Sequence, residues 1–267
     1  MTPRRYGTAS PGALMEVVTV KKACLTLAVL VAFLATGCAA LEAPKKKASY
    51  HYQMGQSFLA EGNYTRALVE FTEAEKITPN DPQLLNFLGQ AFYLKKRYDL
   101  AEPKYLKAIS IRPDFSDARN NLGVNYLEMQ RWDDAVSQLK MVTDDIFYQN
   151  HDNACLNLAL AYLGKGDYAT ALSVLRPVVS RNPRNPIARM YMGRIYFADE
   201  KVDLAIEEFR KSVELNGNYA RARYHLALAY LKTREVAAAK SEFSEVVRID
   251  PDGELSQLSR EYLDILK

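Results

Sequence analysis

The side chains best suited to chemistry in this 267-residue chain are three histidines and three cysteines. His151 and Cys155 lie four residues apart, which would place both on one face of a helix, where an imidazole and a thiolate can bind a metal ion. A metal site needs a third ligand, and none lies nearby in the sequence. We therefore interpret the spacing as a coincidence. Cys155 fits a small buried residue better than the alternative, a reactive thiol.

Other catalytic patterns are absent from the sequence. It contains no His-Glu-x-x-His motif for zinc, no Gly-x-Ser-x-Gly motif for a nucleophile and no glycine-rich phosphate loop. His51 and His225 have no paired ligand spacing, and acidic pairs such as Glu207-Glu208 are typical of solvated helix faces. The sequence predicts a protein that is not an enzyme and that has no metal, no cofactor and no small-molecule substrate.

The N-terminal segment predicts export from the cytoplasm. Residues 23–36 form an apolar run that follows two lysines and is shorter than the roughly 20 residues of a membrane-spanning helix. Residues 1–37 are therefore predicted to be a signal peptide, with the true start expected at Met15 or later. The stretch Leu34-Ala35-Thr36-Gly37-Cys38 resembles a bacterial lipobox, which implies that Cys38 carries a lipid. The alternative is an ordinary signal peptide without lipidation.

The residues after Cys38 indicate where the mature chain is located. Resemblance to enterobacterial lipoproteins implies outer-membrane sorting, since Ala39 rather than aspartate follows the cysteine. Residues 38–47 are predicted to be a lipidated cysteine and a flexible tether. Its three lysines, 45–47, either contact lipid headgroups or belong to a solvated linker. We expect a protein anchored by lipid to the periplasmic face of the outer membrane.

The charge of the mature chain excludes one class of partner. Of the 35 basic side chains, Arg4, Arg5, Lys21 and Lys22 precede Cys38, and of the 32 acidic ones Glu16 does. Residues 38–267 are therefore balanced in charge. Nucleic-acid binding requires a basic face that displaces counterions, so no nucleic-acid partner is predicted.

A residue pattern with a period of about 34 predicts the elements that must position any functional side chain. Alanine recurs with spacings of 34, 34, 36, 34 and 34 residues, and a small residue lies twelve positions before each alanine. An aromatic residue follows each small residue by three positions, where we expect it to pack across the gap that the small residue leaves. The alanines are Ala67, Ala101, Ala135, Ala171, Ala205 and Ala239, and the small residues are Gly55, Gly89, Gly123, Ala159, Gly193 and Ala227.

This pattern resembles the tetratricopeptide repeat (TPR) in every unit from residue 48 to residue 253. The resemblance implies an all-α fold, a right-handed superhelical solenoid of six helix pairs, with prolines such as Pro79 and Pro113 ending second helices. The segment 254–267 has apolar residues at helical spacing and is predicted to be a capping helix. The predicted units are 48–81, 82–115, 116–151, 152–185, 186–219 and 220–253.

In TPR arrays the first helix of each unit lines a concave groove, and this resemblance implies a candidate site for a protein partner. Its N-terminal half is polar and its C-terminal half apolar, which favours a partner helix or strand in the groove. The alternative is that superhelical closure or the C-terminal cap covers the apolar residues. The implied groove residues are Asn86, Gln90, Tyr93, Asn120, Val124, Leu127, Leu156, Leu160, Leu163, Met190, Arg194, Phe197, Tyr224, Leu228 and Leu231.

An irregularity between units three and four adds two residues and includes Phe147 and Tyr148, which we expect to project from an elongated helix or loop. Together with the lipobox and six repeats, residues 144–148 resemble the lipoproteins that act as pilotins for type IV pilus secretins (the PilF/PilW/Tgl family). This resemblance implies binding to secretin subunits in the envelope. The alternative is an adaptor for peptidoglycan hydrolases or synthases or for another envelope complex.

Overall fold

The computed structural model describes residues 44–267, and every regular element within that range is an α-helix. The all-α repeat fold predicted from the period is confirmed. The proposed signal peptide, Cys38 and residues 39–43 of the proposed tether lie outside the described residues. Helix α1 includes residues 44–60. The other helices are α2 (Tyr64–Ile77), α3 (Pro82–Leu94), α4 (Tyr98–Ile111), α5 (Ser116–Glu128), α6 (Trp132–Thr143), α7 (His151–Gly164), α8 (Tyr168–Arg181), α9 (Pro186–Ala198), α10 (Val202–Leu215), α11 (Ala220–Lys232), α12 (Val236–Ile249) and α13 (Glu254–Ile265).

The start of the described chain differs from the predicted flexible tether. Residues 44–47 are helical and belong to α1. Lysine and alanine have high helix propensity, and Ala48, which follows the lysines, is buried. The first helix therefore extends towards the N-terminus beyond the repeat pattern. Within residues 44–267, no helix has both the length and the apolar character required to cross a membrane.

The chain divides into two compact units between Leu84 and Leu85. In the first unit, α1 and α2 pack through Gly55 and Phe71, and His51 contacts Glu70 with 2.7 Å between Nδ1 and Oε2. In the second unit, each helix from α4 to α13 packs against its neighbours in sequence. The first helices α5, α7 and α9 also contact one another, as repeat stacking requires.

The recurring alanine is the fourth residue of each second helix. All six alanines from Ala67 to Ala239 are fully buried, as expected where two helices approach closely. The small residues also lie where two helices approach closely. The packing partner expected for them, the aromatic residue three positions later, is wrong. A Cβ atom on Gly89 would lie 2.5 Å from the ring of Tyr105, and one on Gly193 would lie 2.5 Å from the ring of Phe209. The side chain that covers each glycine thus comes from the facing second helix, sixteen residues later.

One turn geometry joins the two helices of every repeat. Each of these turns contains a residue with φ between 57° and 78°, a left-handed conformation that ends the first helix. Glycine occupies two of the six positions, and the other four carry side chains, although this conformation costs about 1 kcal/mol without glycine. The six residues are Gly62, Lys96, Gln130, Gly166, Glu200 and Arg234.

Arginine links the repeats at three equivalent places, at the fourth residue of α5, α9 and α11. Each of these side chains donates hydrogen bonds to a carbonyl six residues earlier, in the preceding turn, and to a side chain on the second helix of its own repeat. We call Arg119, Arg189 and Arg223 the turn arginines. Their second-helix partners are Gln138 at 3.2 Å, Glu208 at 2.9 Å and Glu242 at 2.6 Å.

The irregularity after the third repeat is a longer loop. Helix α6 ends at Thr143 and α7 begins at His151, which leaves seven connecting residues where the other repeats have four. Helix α6 itself has 12 residues, whereas the other second helices have 14. The expected projection is therefore a loop and not an elongated helix. At the other end, α13 packs on α12 with the ring of Tyr262 stacked on that of Phe243 at 4.9 Å.

Candidate protein-binding groove

The first helices of the second unit line one open groove of about 580 Å³. Six of the predicted residues line it, contributed by α3, α5, α7 and α9. Sequence reasoning missed seven further residues, several of which directly follow a predicted position, so that the groove face is wider than the pattern implied. The predicted lining residues are Tyr93, Val124, Leu127, Leu160, Leu163 and Arg194, and the additional ones are Glu128, Gln130, Trp132, Asn157, Gly164, Tyr191 and Arg221.

Three predicted groove residues are not available to a partner. Met190 is fully buried and belongs to the core around α10 and α11, Leu156 belongs to the core around α7 and α8, and Asn86 is also buried. The reason is geometric. The three residues occupy the same position in their repeats, and this position lies between the groove and the neighbouring first helix. These three assignments as partner contacts are corrected.

The expected apolar stripe at the C-terminal end lies outside this groove. Phe197, Tyr224, Leu228 and Leu231 are half-buried and pack against the core cluster of α9 to α12, together with Tyr262 and other residues at the C-terminus. This packing agrees with the alternative in which the C-terminal cap covers these residues, and their contact with a partner stays a prediction. Gln90 and Asn120 are half-buried and do not line the groove.

Asparagine pairs connect successive first helices beside the groove. Asn121 Nδ2 donates to Asn86 Oδ1 at 3.0 Å, and Asn157 Nδ2 donates to Asn120 Oδ1 at 3.1 Å. Each pair joins helices of adjacent repeats, 35 and 37 residues apart in sequence. These amides are satisfied by one another, so they stabilise the stacking of the helices.

One end of the groove has an acidic side chain that is paired within the protein. The Tyr93 hydroxyl donates to Glu128 Oε1 at 3.4 Å, and the ring of Tyr93 lies 5.5 Å from that of Tyr98. Burial, followed by the Glu128 carboxylate, raises the pKa of Tyr93. This tyrosine is a neutral hydrogen-bond donor at any physiological pH.

The other end of the groove is basic. Half-buried Arg194 lies with its guanidinium 5.7 Å from the centre of the Tyr191 ring, and exposed Arg221 lines the same groove. Burial, and then the charge of Arg221, lower the pKa of the Arg194 guanidinium. Burial together with both arginines lowers the pKa of His225 to about 3, so that His225 is neutral. The groove therefore has an apolar middle and a positive end.

The loop between α6 and α7 presents a second surface. Ile146 and Phe147 are 84% and 85% exposed, and Phe147 lines a shallow pocket of about 440 Å³ with Met141 and Arg119. Asp145 fixes the loop by accepting hydrogen bonds from the Ser116 hydroxyl at 2.6 Å and from the Phe147 backbone N–H at 3.0 Å.

Tyr148, the other predicted loop contact, differs from Phe147. It is half-buried, and its burial, followed by the Asp117 carboxylate, raises its pKa to about 12. Phe147 is therefore the more available of the two predicted contacts. Ile146, which the sequence analysis did not select, is exposed beside it.

The histidine and cysteine four residues apart do meet in the structure. His151 Nδ1 lies 3.5 Å from Cys155 Sγ, and its Nε2 donates to the Thr143 carbonyl at 3.0 Å. Burial raises the pKa of the Cys155 thiol, which keeps it protonated and unreactive. Among residues 44–267, no group of three or more His, Cys, Asp and Glu side chains is arranged to hold a metal ion. The contact between the two residues lies within α7, and the bond from His151 to Thr143 joins the start of α7 to the end of α6.

Family models match the chain along its repeats. A model described as tetratricopeptide repeat matches residues 52–116 and 156–220, and a second model with the same description matches residues 196–261. Over 76 residues the chain is 33% identical to the TPR repeat-containing thioredoxin TTL4 of Arabidopsis thaliana, which covers 28% of this chain and 11% of that protein. The chain spans about a quarter or less of the length of the curated relatives it matches.

Two solved structures are similar over nearly their whole length. Pseudomonas aeruginosa PilF is 20% identical, with a TM-score of 0.64 over 82% of this chain and 99% of that chain. PilW, described as a widely conserved type IV pilus biogenesis factor, is 18% identical, with a TM-score of 0.70 over 79% of this chain and 97% of that chain. At such identities the likeness shows a shared fold.

Proposed function

Because this chain belongs to the tetratricopeptide-repeat family, whose models match more than half of it, we propose that it is a non-catalytic scaffold that binds another polypeptide in its groove. The observation that carries the proposal is the groove itself. It is open, about 580 Å³ in volume and lined by five first helices, with Val124, Leu127, Leu160 and Leu163 supplying apolar contacts.

The partner that we propose is an outer-membrane secretin subunit of a type IV pilus. Two considerations support this choice: the fold is shared with PilF and with the pilus biogenesis factor PilW, and the resemblance of residues 34–38 to a lipobox favours a location at the membrane where secretins assemble. In this proposal the lipid on Cys38 holds the repeats at the periplasmic face of the outer membrane. The groove then binds the secretin and assists its targeting or multimerisation.

Deletion of the gene tests the proposal. The secretin multimer, detected by immunoblotting of unheated membranes, is expected to disappear in the deletion strain and to return with the wild-type gene. Leu160→Glu places a charge on the apolar middle of the groove and is expected not to restore the multimer. Leu106→Glu is the matched control, because Leu106 is exposed on α4 and does not line the groove. Undiminished multimer in the deletion strain would reject the secretin role.

The anchor is tested separately. Cys38→Ala is expected to leave the protein soluble in the periplasm or uncleaved in the inner membrane, measured by fractionation and by the mass of the mature chain. Membrane retention of a correctly cleaved Cys38→Ala protein would contradict a lipid anchor. Co-purification from detergent extracts identifies the partner, and recovery of peptidoglycan enzymes without the secretin would replace the pilotin role with that of an envelope adaptor.

A further inference from the structure

The basic end of the groove contains two arginines without a carboxylate partner. Among residues 44–267, no Asp or Glu oxygen lies within 4.0 Å of the Arg194 or Arg221 guanidinium. The turn arginines on the same helices differ, since Arg189 and Arg223 each form an ion pair with a glutamate. Both helices therefore carry one arginine that is neutralised within the protein and one that is not.

The environment of Arg194 makes this absence costly. Its side chain is half-buried beside the ring of Tyr191, and Arg221 adds a second positive charge to the lining of the same groove. A desolvated guanidinium retains favourable interactions only if an anion or hydrogen-bond acceptor completes its surroundings. The Arg194 guanidinium has such a favourable neighbour on one side only, the face of the Tyr191 ring. The arrangement matches a site for an anionic group that enters from the groove.

We propose that the groove recognises an acidic side chain, Asp or Glu, at one end of an apolar segment of the partner polypeptide, and that Arg194 and Arg221 bind this carboxylate together. This inference rests on the proposed function, because it defines the chemistry of the segment that the groove receives. Val124, Leu127, Leu160 and Leu163 contact the apolar part of the segment. Glu128 at the opposite end of the groove disfavours the reverse orientation, in which the acidic residue would face a carboxylate.

Peptide selection tests the chemistry without knowledge of the natural partner. The purified full-length protein is used to select binders from a phage-displayed library of random peptides, and the enriched peptides are synthesised with a fluorescent label. We expect them to share an Asp or Glu beside apolar residues. Replacing that acid with its amide is expected to weaken binding by about tenfold or more, as for a hydrogen-bonded charge pair. High salt is expected to weaken it as well.

Variants of the protein assign the effect to the two arginines. Arg194→Gln with Arg221→Gln is expected to weaken binding of the acidic peptide by about tenfold or more and to leave its amide version unchanged. Arg176→Gln with Arg184→Gln is the matched control, because it removes the same two charges from exposed positions outside the groove. Leu160→Glu is expected to abolish binding of both peptides.

Thermal unfolding of the variants provides a second measurement. Removing an arginine that repels its neighbour and lacks an acid is expected to keep Tm unchanged or to raise it by about 2–4 °C. Arg189→Gln, which breaks an ion pair on the same helix, is expected to lower Tm. If Arg194→Gln and Arg221→Gln lowered Tm as Arg189→Gln does, the two arginines would be structural and the proposal would be wrong.

The outcomes separate this proposal from the proposed function. Peptides that bind in a Leu160-dependent manner but lack an acid, or that ignore the double arginine variant, would leave the scaffold role intact and overturn acidic recognition. Dependence on a free C-terminal carboxylate, lost on amidation of the peptide terminus, would also overturn recognition of an acidic side chain. If no peptide bound in the groove, both proposals would fail.

Discussion

The two ends of helix α9 place arginine in opposite situations. Arg189, near the start of the helix, donates to the Pro183 carbonyl and to Glu208, and both members of this ion pair are largely buried. Arg194, five residues later, faces the groove with Tyr191 and Arg221 as its neighbours. The comparison separates contacts that hold the repeats together from groups that remain available to a ligand.

The same division holds along the other first helices of the second unit. Asn86 and Asn121 satisfy each other between adjacent repeats, as Asn120 and Asn157 do, whereas the apolar residues of the groove face open space. Polar side chains beside the groove are therefore not equivalent. Those with an internal partner specify how the repeats stack, and those without one are candidates for binding.

The largest expected effect comes from removing the acidic partner of Arg189, so that Arg189 lacks a carboxylate as Arg194 does. Glu208→Ala removes the acid and leaves a mostly buried guanidinium unpaired, which is expected to lower the free energy of unfolding by about 2–4 kcal/mol. Urea denaturation followed by circular dichroism measures the change. Glu207→Ala, one residue away but exposed, is the control and is expected to have little effect. Equal effects of the two variants would contradict the distinction between the two arginines.

His225 reports the electrostatic environment at the basic end of the groove. Its pKa is about 3 in the folded protein and 6.5 ordinarily, so the unfolded chain takes up a proton first as the pH falls. The associated stability is complete above pH 6.5 and is lost as the pH decreases towards 3, by about 2–3 kcal/mol at about pH 4.5.

The contribution of His225 is measured by comparing the pH dependence of unfolding in the wild type and in His225→Phe. This variant keeps a ring stacked on Phe209 but does not titrate. The variant is expected to lose less stability between pH 7 and about pH 4.5. Arg194→Gln is expected to raise the pKa of His225, measured by NMR. Identical pH profiles for the wild type and His225→Phe would show that the histidine is not shielded from protonation.

The contact between the two helices of a repeat is tested by Gly193→Ala. The new methyl group would lie 2.5 Å from the ring of Phe209, so the helices must separate, at an expected cost of about 1–3 kcal/mol. Alanine already occupies the equivalent positions 159 and 227 in other repeats, opposite Leu175 and Phe243. Ala159→Gly is the reciprocal variant. A stable Gly193→Ala protein with unchanged peptide binding would show that this contact does not constrain the groove.

The smallest expected effect concerns the asparagine pairs. Asn121→Ala removes the donor to buried Asn86 and is expected to reduce stability by about 1 kcal/mol. Asn153→Ala, at an exposed position of α7, is the control and is expected not to reduce stability. Denaturant titration of both variants provides the measurement. A loss confined to Asn121→Ala would confirm that the pairs beside the groove are structural.

Much of the fold was predictable because the information is local and periodic. The alanine period placed six buried contacts between helices, from Ala67 to Ala239. Gly62 and Gly166 have positive φ in the turns within their repeats, a conformation that glycine favours. The longer loop after α6 was visible as a shift in the period. Each of these features depends on residues close together in the chain.

The groove was only partly predictable. Tyr93, Val124, Leu127, Leu160, Leu163 and Arg194 were placed correctly by their positions in the repeat. Met190 and Leu156 were wrong because their helix positions lie at the border between groove and core, and the packing of the next repeat buries them. Tyr191, which directly follows the predicted residue Met190, and exposed Arg221 were missed, although both line the groove.

By itself the sequence determined that this protein is a stack of helix pairs, because a 34-residue recurrence of small and large side chains can be buried only by neighbouring copies. Tertiary structure alone decided which polar side chains are satisfied. Arg189 meets Glu208 across 19 residues, Asn86 meets Asn121 across 35, and Arg194 meets no acid among the described residues. Partners that distant in sequence come together only when the packing of the helices fixes their positions.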